Sequence, residues 1–97
     1  MNATICDAIV HRRHLLFFYE GLPRTVEPYV HGRSKEGADL LRAFQTEGSS
    51  KSKPTLAWRL FEVSKMRGLN ASGDTFQGTR AAYNPDDPAM ERIYCRL

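Results

Sequence analysis

The sequence predicts a mainly β domain, a small barrel with a short N-terminal helix and a C-terminal helix. The first observation is the stretch 15–19, whose aromatic and branched residues favour a strand. The second is a series of further short apolar runs separated by Gly, Pro and Ser. The third is arginine inside those runs, which suggests an anion-facing site. A chain of 97 residues fits one domain with a modest core.

The first elements are a helix and a strand. Ile5, Ala8 and Ile9 lie at helical spacing, and Asn2 or Thr4 can cap the helix start. We expect this helix to end near residues 12–13. Residues 14–20 then form the first strand, which stops at a turn over residues 21–23.

The middle of the chain predicts two more strands and a long loop. Residues 24–31 alternate, and Pro28 should make this strand an edge or bend it sharply, because proline cannot donate to a ladder. Residues 40–44 form a third strand with Arg42 embedded in it. The segment 46–55 is rich in Ser, Gly and Lys, which predicts a long, basic hairpin loop.

The last part predicts strands and then a helix. Residues 58–63 favour a fourth strand, and a short fifth strand lies within 65–69 or near 75–76. Residues 77–87 resemble a loop, and Asp87-Pro88 is a typical helix start. The expected helical face is Met90, Ile93, Tyr94 and Leu97. We therefore divide the chain into a domain over 1–76 and a C-terminal extension over 77–97.

Composition narrows the class of protein. Lys and Arg outnumber Asp and Glu by 14 to 11, which mildly favours anionic partners. Cys6 and Cys95 provide no disulfide framework, so two reduced thiols are the simpler interpretation and a single bridge is the alternative. No apolar run approaches the roughly 20 residues that span a bilayer. The expected location is the cytoplasm, without a membrane.

No enzyme or metal centre is predicted. Cys6 with His11 or His14, or Cys95 with His31, would be a conceivable nucleophile and base, but no supporting residues occur at informative spacing. The same histidines with Cys6 lack a second pair at metal-ligand spacing. We expect no catalysis, no cofactor and no metal.

Three pieces of the chain resemble the WYL domain, a bacterial and archaeal regulatory module. Residues 5–19 are similar to its helix, basic turn and aromatic strand. Residues 24–29, Arg-Thr-Val-Glu-Pro-Tyr, resemble its Arg-x-Val-x-Pro strand, and residues 59–66 resemble its Arg-x-Phe-x-Leu-Asp-Arg-Ile run. The tripeptide that gives the family its name falls at residues 39–41, where only the final Leu is kept. The resemblance implies a divergent, stand-alone member without an attached helix-turn-helix.

The resemblance also implies a fold and a site. WYL domains have an Sm-like, SH3-type β-barrel, and are thought to bind nucleic acid or nucleotide-like ligands that regulate an attached effector. The positions that match a basic barrel surface, together with a tryptophan beside the basic loop, are Tyr19, Arg24, Arg42, Arg59, Lys65 and Trp58. Arginine suits phosphate oxygens, and aromatic rings stack on bases.

Two functions follow from this pattern. The first is a regulatory ligand-binding module for nucleic acid or a nucleotide-like ligand, with an effector or DNA-binding protein as its partner. The alternative is a protein-interaction or homo-oligomerisation module, which would use its sheet edge and C-terminal helix. In a structural interpretation, Arg42 and Arg59 lie at the rim and pair with acids, which are Glu27, Asp39 or Glu62.

Overall fold

The protein is mainly β, with six antiparallel strands in one sheet among the residues described by this computed structural model, 1–48 and 56–97. In the sheet the order is β4-β3-β2-β1-β5, and β6 also pairs with β2. No helix in these two ranges is long and apolar enough to cross a membrane. The elements are α1 (Ala3–Val10), β1 (Arg13–Tyr19), β2 (Leu22–Arg33), β3 (Asp39–Gly48), β4 (Ala57–Glu62), a 3-10 helix (Val63–Lys65), β5 (Arg67–Thr75) and β6 (Arg92–Arg96).

The N-terminal helix is confirmed. Asn2 caps α1 by accepting a hydrogen bond from the Ile5 amide over 3.1 Å. Ile5, Ala8 and Ile9 are its buried residues, as their spacing predicts. The helix packs with this face towards the sheet, so the face that is apolar in sequence becomes part of the core.

Strand β2 is the centre of the sheet, so the expectation that Pro28 marks an edge strand is wrong. One side of β2 pairs with β3 along nearly its whole length. The other side pairs with β1 up to Val26 and with β6 from Val30 onwards. Pro28 falls between these two partners, where its missing N–H costs no ladder hydrogen bond. The alternative expectation was a sharp bend at Pro28; what the structure has there is a register shift between Pro28 and Val30.

The C-terminal helix was also predicted wrongly, because residues Arg92–Arg96 form strand β6. Strand β1 covers only the first half of β2, which leaves the second half with open backbone groups. Strand β6 pairs there, with Cys95 opposite His31 and Arg92 opposite Arg33. Buried backbone groups need hydrogen-bond partners. Residues 92–96 supply them as a strand, although their local sequence pattern favours a helix.

The sheet carries an apolar cluster on each side. The inner cluster, under α1, contains Leu15, Phe17, Val26, Leu41 and Phe61. The outer cluster contains Tyr29, Phe76 and Met90, with Phe44 and Trp58 packed against it, and the segment 77–91 covers it. These two clusters place the two faces of β3 and β4 in different surroundings.

The sheet curls but does not close among the described residues. No ladder joins β4 to β5. The Tyr19 hydroxyl on β1 accepts a hydrogen bond from the Glu62 amide at the end of β4, over 3.0 Å. Thr46, Glu47 and Gly48 belong to β3 and not to the expected long loop. The rest of that loop, residues 49–55, lies outside the described residues.

A disulfide joins Cys6 on α1 to Cys95 on β6, so the expectation of two reduced thiols is wrong. The Cα atoms are 5.7 Å apart and the two residues are separated by 89 positions in sequence. Because β6 lies beside β2 and α1 packs on both strands, the fold brings the two cysteines together. The bond also excludes Cys6 and Cys95 as free nucleophiles or metal ligands.

Candidate anion site

Strand alternation places three polar side chains on the inner, buried face of the sheet. Arg24 lies on β2, Gln45 on β3 and Arg59 on β4. Each lies two positions from a residue of the inner cluster on the same strand, namely Val26, Ala43 and Phe61. Side chains two positions apart on a strand point to the same face of the sheet. All three are buried, Arg24 to 5% exposure, Gln45 to 0% and Arg59 to 6%. We call Tyr19, Arg24, Gln45, Arg59 and Phe61 the arginine site.

Arg24 is held by weak and mostly neutral contacts. Its Nη1 donates to Gln45 Oε1 over 3.1 Å, and its Nη2 donates to the Tyr19 carbonyl over 3.4 Å. Its guanidinium lies 5.7 Å from the centre of the Tyr19 ring and 5.8 Å from that of Phe61. The carboxylate that contacts it among the described residues is Glu20, at 3.5 Å, and that side chain is 61% exposed. A largely solvated carboxylate compensates little of the cost of burying Arg24.

Two buried donor groups in the site have no acceptor among the described residues. Arg24 Nε makes no hydrogen bond, and neither does Gln45 Nε2. Since Gln45 Oε1 already accepts from Arg24, the amide nitrogen is the end left to face the site. Buried donors without acceptors cost free energy and are rare in native folds.

Arg59 adds a second buried cation. Burial, and then the charge of Arg24, lower the pKa of the Arg59 guanidinium below its ordinary value. Each charge therefore acts unfavourably on the other. Residues 49–55, which join β3 to β4, contain no Asp or Glu in their sequence. The site thus concentrates positive charge and donors, the arrangement that an oxyanion would neutralise.

Aromatic rings form one wall of the site. The Phe61 ring lies 4.9 Å from both Phe17 and Tyr19, edge to face in each case. This contact fixes Tyr19, whose hydroxyl is also bound by the Glu62 amide. The Arg24 guanidinium lies against this wall, so the rings restrict its position before any ligand arrives.

Three of the predicted site residues lie elsewhere. Arg42 and Trp58 alternate onto the outer face of the sheet, on β3 and β4 respectively, and line a separate cavity there. Lys65, in the 3-10 helix, is 61% exposed and lies 3.7 Å from Glu62. Tyr19, Arg24 and Arg59 are the members of the predicted set that the structure brings together in the arginine site.

The acids expected beside Arg42 are used differently. Its partner is Asp87, with the Arg42 Nε to Asp87 Oδ2 distance at 2.6 Å. Glu27 instead accepts two hydrogen bonds from Arg80, over 3.0 and 2.9 Å, and one from the Tyr29 hydroxyl over 3.0 Å. Burial, aided by Glu27, raises the pKa of Tyr29 to about 12. These bonds join the segment 77–91 to the sheet through Arg80 and Asp87.

Gln45 is the site residue that the sequence analysis missed. Its position carries a usable signal, because it continues the series Leu41, Ala43, Gln45 on the buried face of one strand. A polar residue at the end of such a series needs a partner inside the fold.

Comparison of the chain with protein-family models, with curated proteins and with solved structures gives no match.

Proposed function

We propose that this protein is a regulatory ligand-binding domain whose arginine site accepts a phosphate group of nucleic acid or of a nucleotide-like ligand. One observation carries the proposal: two buried guanidinium groups share a site in which the donors Arg24 Nε and Gln45 Nε2 have no acceptor within residues 1–48 and 56–97. A bound oxyanion would supply acceptors for these two donors and a negative charge beside the two guanidinium groups. The function is binding without turnover.

The resemblance to the WYL domain supports the same proposal. Tyr19, Arg24 and Arg59, which match basic-surface positions of that family, lie together in the arginine site. An Sm-like barrel, a regulatory role and an effector or DNA-binding partner are part of the proposal. A cytoplasmic location is not, because disulfides such as Cys6–Cys95 persist mainly in oxidising compartments.

Binding of short labelled oligonucleotides tests the proposal. We expect fluorescence anisotropy to show binding of single-stranded RNA or DNA, and we expect Arg24→Gln/Arg59→Gln to weaken it at least tenfold. The matched control, Arg33→Gln/Arg92→Gln, removes the same charge from exposed positions opposite each other on β2 and β6. The control should retain most of the affinity.

The salt dependence of the affinity distinguishes binding at the arginine site from general electrostatic attraction to phosphate. Affinity that comes only from surface charge falls steeply with salt, whereas a buried pair of arginines is screened less. Equal losses in the two double variants, or no binding by the unaltered protein at low and near-physiological salt, would overturn the proposal.

The assembly alternative retains one supporting observation. Strands β4 and β5 each have a single partner strand among the described residues, and the outward-facing Phe18 and Leu60 are exposed. Open strand edges pair readily with other chains. A solution mass above that of the monomer, stable in high salt and abolished by Phe18→Lys or Leu60→Lys, would favour this function. A monomeric mass at all concentrations would exclude it.

A further inference from the structure

A cavity on the outer face of the sheet lies apart from the arginine site. It measures about 210 Å³, and its lining residues are Arg42, Trp58, Ala82, Asn84, Asp87 and Pro88. Arg59 follows Trp58 on β4, so adjacent side chains point to opposite faces of the sheet. A ligand in this outer cavity therefore lies on the opposite face of the sheet from the arginine site.

The first wall of the outer cavity is a fixed aromatic ring. Trp58 Nε1 donates to the Ala81 carbonyl over 2.9 Å, which uses its one donor. Tyr29 contacts the ring edge to face at 4.9 Å, and Tyr83 lies nearly parallel to it, at 17°. Trp58 therefore lines the cavity with an aromatic ring whose donor is already used, and such a ring is suited to stacking with another planar ring.

The second wall is the ion pair of Arg42 and Asp87, whose opposite charges balance. Arg42 Nε and Nη2 donate to the two carboxylate oxygens of Asp87 over 2.6 and 3.2 Å. Burial opposes ionisation of Asp87, but the hydrogen bonds from Arg42 and from the Ala89 amide outweigh it and lower its pKa. The carboxylate stays charged beside the guanidinium, so the outer cavity has no need of an anionic ligand.

Two donors remain at the edge of this neutral cavity. No described residue accepts a hydrogen bond from Arg42 Nη1. The Arg42 side chain is 29% exposed. Asn84 Oδ1 accepts from the Asp86 amide over 3.0 Å, which leaves the Asn84 amide nitrogen as the outward end. A ligand that satisfies both must carry hydrogen-bond acceptors along one edge.

We propose that the outer cavity binds a nucleobase, stacked on Trp58 with its acceptor edge towards Arg42 and Asn84. A base is planar, uncharged and carries ring and carbonyl acceptors, which arginine recognises well. The volume lies below that of pockets for drug-sized ligands, roughly 300–1,000 Å³, so it suits one ring system and not a whole nucleotide. The side chains Phe and Leu, which could also fill an apolar cavity, offer no acceptor.

The test uses Trp58 itself, since it is the only tryptophan in the chain. The intact, disulfide-bonded protein is titrated with guanosine, adenosine, cytidine and uridine, which carry no phosphate, and with ribose as a blank. We expect at least one nucleoside to change the Trp58 emission saturably, and ribose to leave it unchanged. Arg42→Lys and Asn84→Ala should each weaken this binding at least fivefold.

Two variants keep the test decisive. If Arg42→Lys disturbs folding by loosening Asp87, the exposed Asn84→Ala decides. Arg24→Gln/Arg59→Gln should leave nucleoside binding unchanged, so that failure here is separate from failure at the arginine site. No saturable change with any nucleoside, or binding that survives Asn84→Ala, would overturn the proposal.

A second arm identifies the source of the base. If a short oligonucleotide of the same base binds more tightly than the nucleoside and loses affinity in Asn84→Ala, the cavity serves a nucleic acid chain. If the nucleoside binds as tightly as the oligonucleotide, the cavity serves a free nucleoside or nucleotide. Both results require the nucleoside itself to bind through Arg42 and Asn84.

Discussion

Arg24 is a single residue whose burial opposes stability and whose charge the proposed oxyanion would neutralise. Its guanidinium is buried beside Arg59, while its carboxylate partner Glu20 is largely in solvent. Replacing buried charged groups by apolar groups of similar size is often neutral or stabilising. The burial of Arg24 is therefore unfavourable by itself, and the proposed binding of an oxyanion would offset its cost.

Arg24→Met should separate these two roles. We expect a free energy of unfolding that is unchanged or higher by about 1–3 kcal/mol, because a repulsive buried cation is removed. Oligonucleotide binding should be lost. Phe61→Ala, at the same site, should instead lower the free energy by about 3–5 kcal/mol. Urea denaturation measures both; a large destabilisation by Arg24→Met would show that Arg24 is a structural residue.

His31 should make stability depend on pH. Its side chain is fully buried, its Nε2 accepts from the Asn2 amide over 3.1 Å, and its Nδ1 donates to the Leu40 carbonyl over 2.7 Å. Burial lowers the pKa of His31 below 6.5. The unfolded chain therefore takes up the proton first as pH falls, and the contribution of His31 to stability is complete above about pH 6.5.

We expect the free energy of unfolding to fall as the pH decreases below about 6.5, with a slope of up to about 1.4 kcal/mol per pH unit from this group. His31→Gln should flatten that part of the curve, whatever its effect on stability at pH 7.5. Urea denaturation at several pH values provides the measurement. An unaltered slope in His31→Gln would assign the effect to other groups.

At the scale of elements, Gly32 determines how closely β6 approaches β2. A Cβ atom at this position would collide with the Arg92 carbonyl oxygen on β6. The obstacle is backbone, which cannot swing away as a side chain can. The second half of β2 therefore keeps its partner strand only while residue 32 has no side chain.

Gly32→Ala should displace β6 and lower the free energy of unfolding by roughly 2–4 kcal/mol, as overpacking and lost ladder hydrogen bonds predict. The matched control is Gly73→Ala on β5, where a Cβ would meet nothing within 4 Å. That change should stay within about 0.5 kcal/mol. Equal effects at both positions would contradict the role of Gly32.

The elements differed in how well the sequence predicted them. Asn2 and the spacing of Ile5 and Ile9 are local signals, so α1 was predictable. The helical spacing of Ile93 and Leu97 was misleading, because the need for β6 arises from β2 being longer than β1. Such a mismatch between distant strands leaves no trace in a local pattern.

The candidate site shows the same division. Arginine inside apolar runs drew attention to Arg24 and Arg59, and the structure places both on the buried face of the sheet, where a cation is unusual. The alternation of side chains along a strand would have placed Trp58 and Arg59 on opposite faces of the sheet. Arg42 and Gln45, three positions apart on β3, also point to opposite faces. The partner Asp87 could not be predicted, since 45 positions separate it from Arg42.

At the scale of the whole molecule, the Cys6–Cys95 bond encloses almost the entire chain. A cross-link stabilises chiefly by restricting the unfolded state, and more so for long loops. With 89 positions between the cysteines, the effect should approach the upper part of the usual range. The small domain thus relies on a covalent bond as well as on its two apolar clusters.

Cys6→Ser/Cys95→Ser should lower the free energy of unfolding by about 2–5 kcal/mol. A reducing agent should produce a similar loss in the unaltered protein and none in the double variant. Urea denaturation with and without the reductant tests this. A double variant as stable as the unaltered protein would contradict a stabilising role of the bond.

The pairing of β6 with β2 also affects the order of events during synthesis. The first helix leaves the ribosome early, yet part of its docking surface is a strand that ends at Arg96. Contacts between such distant residues form slowly, and domains emerge N-terminus first. The docking surface of α1, which β1, β2 and β5 also form, is therefore complete only after β6 has been translated.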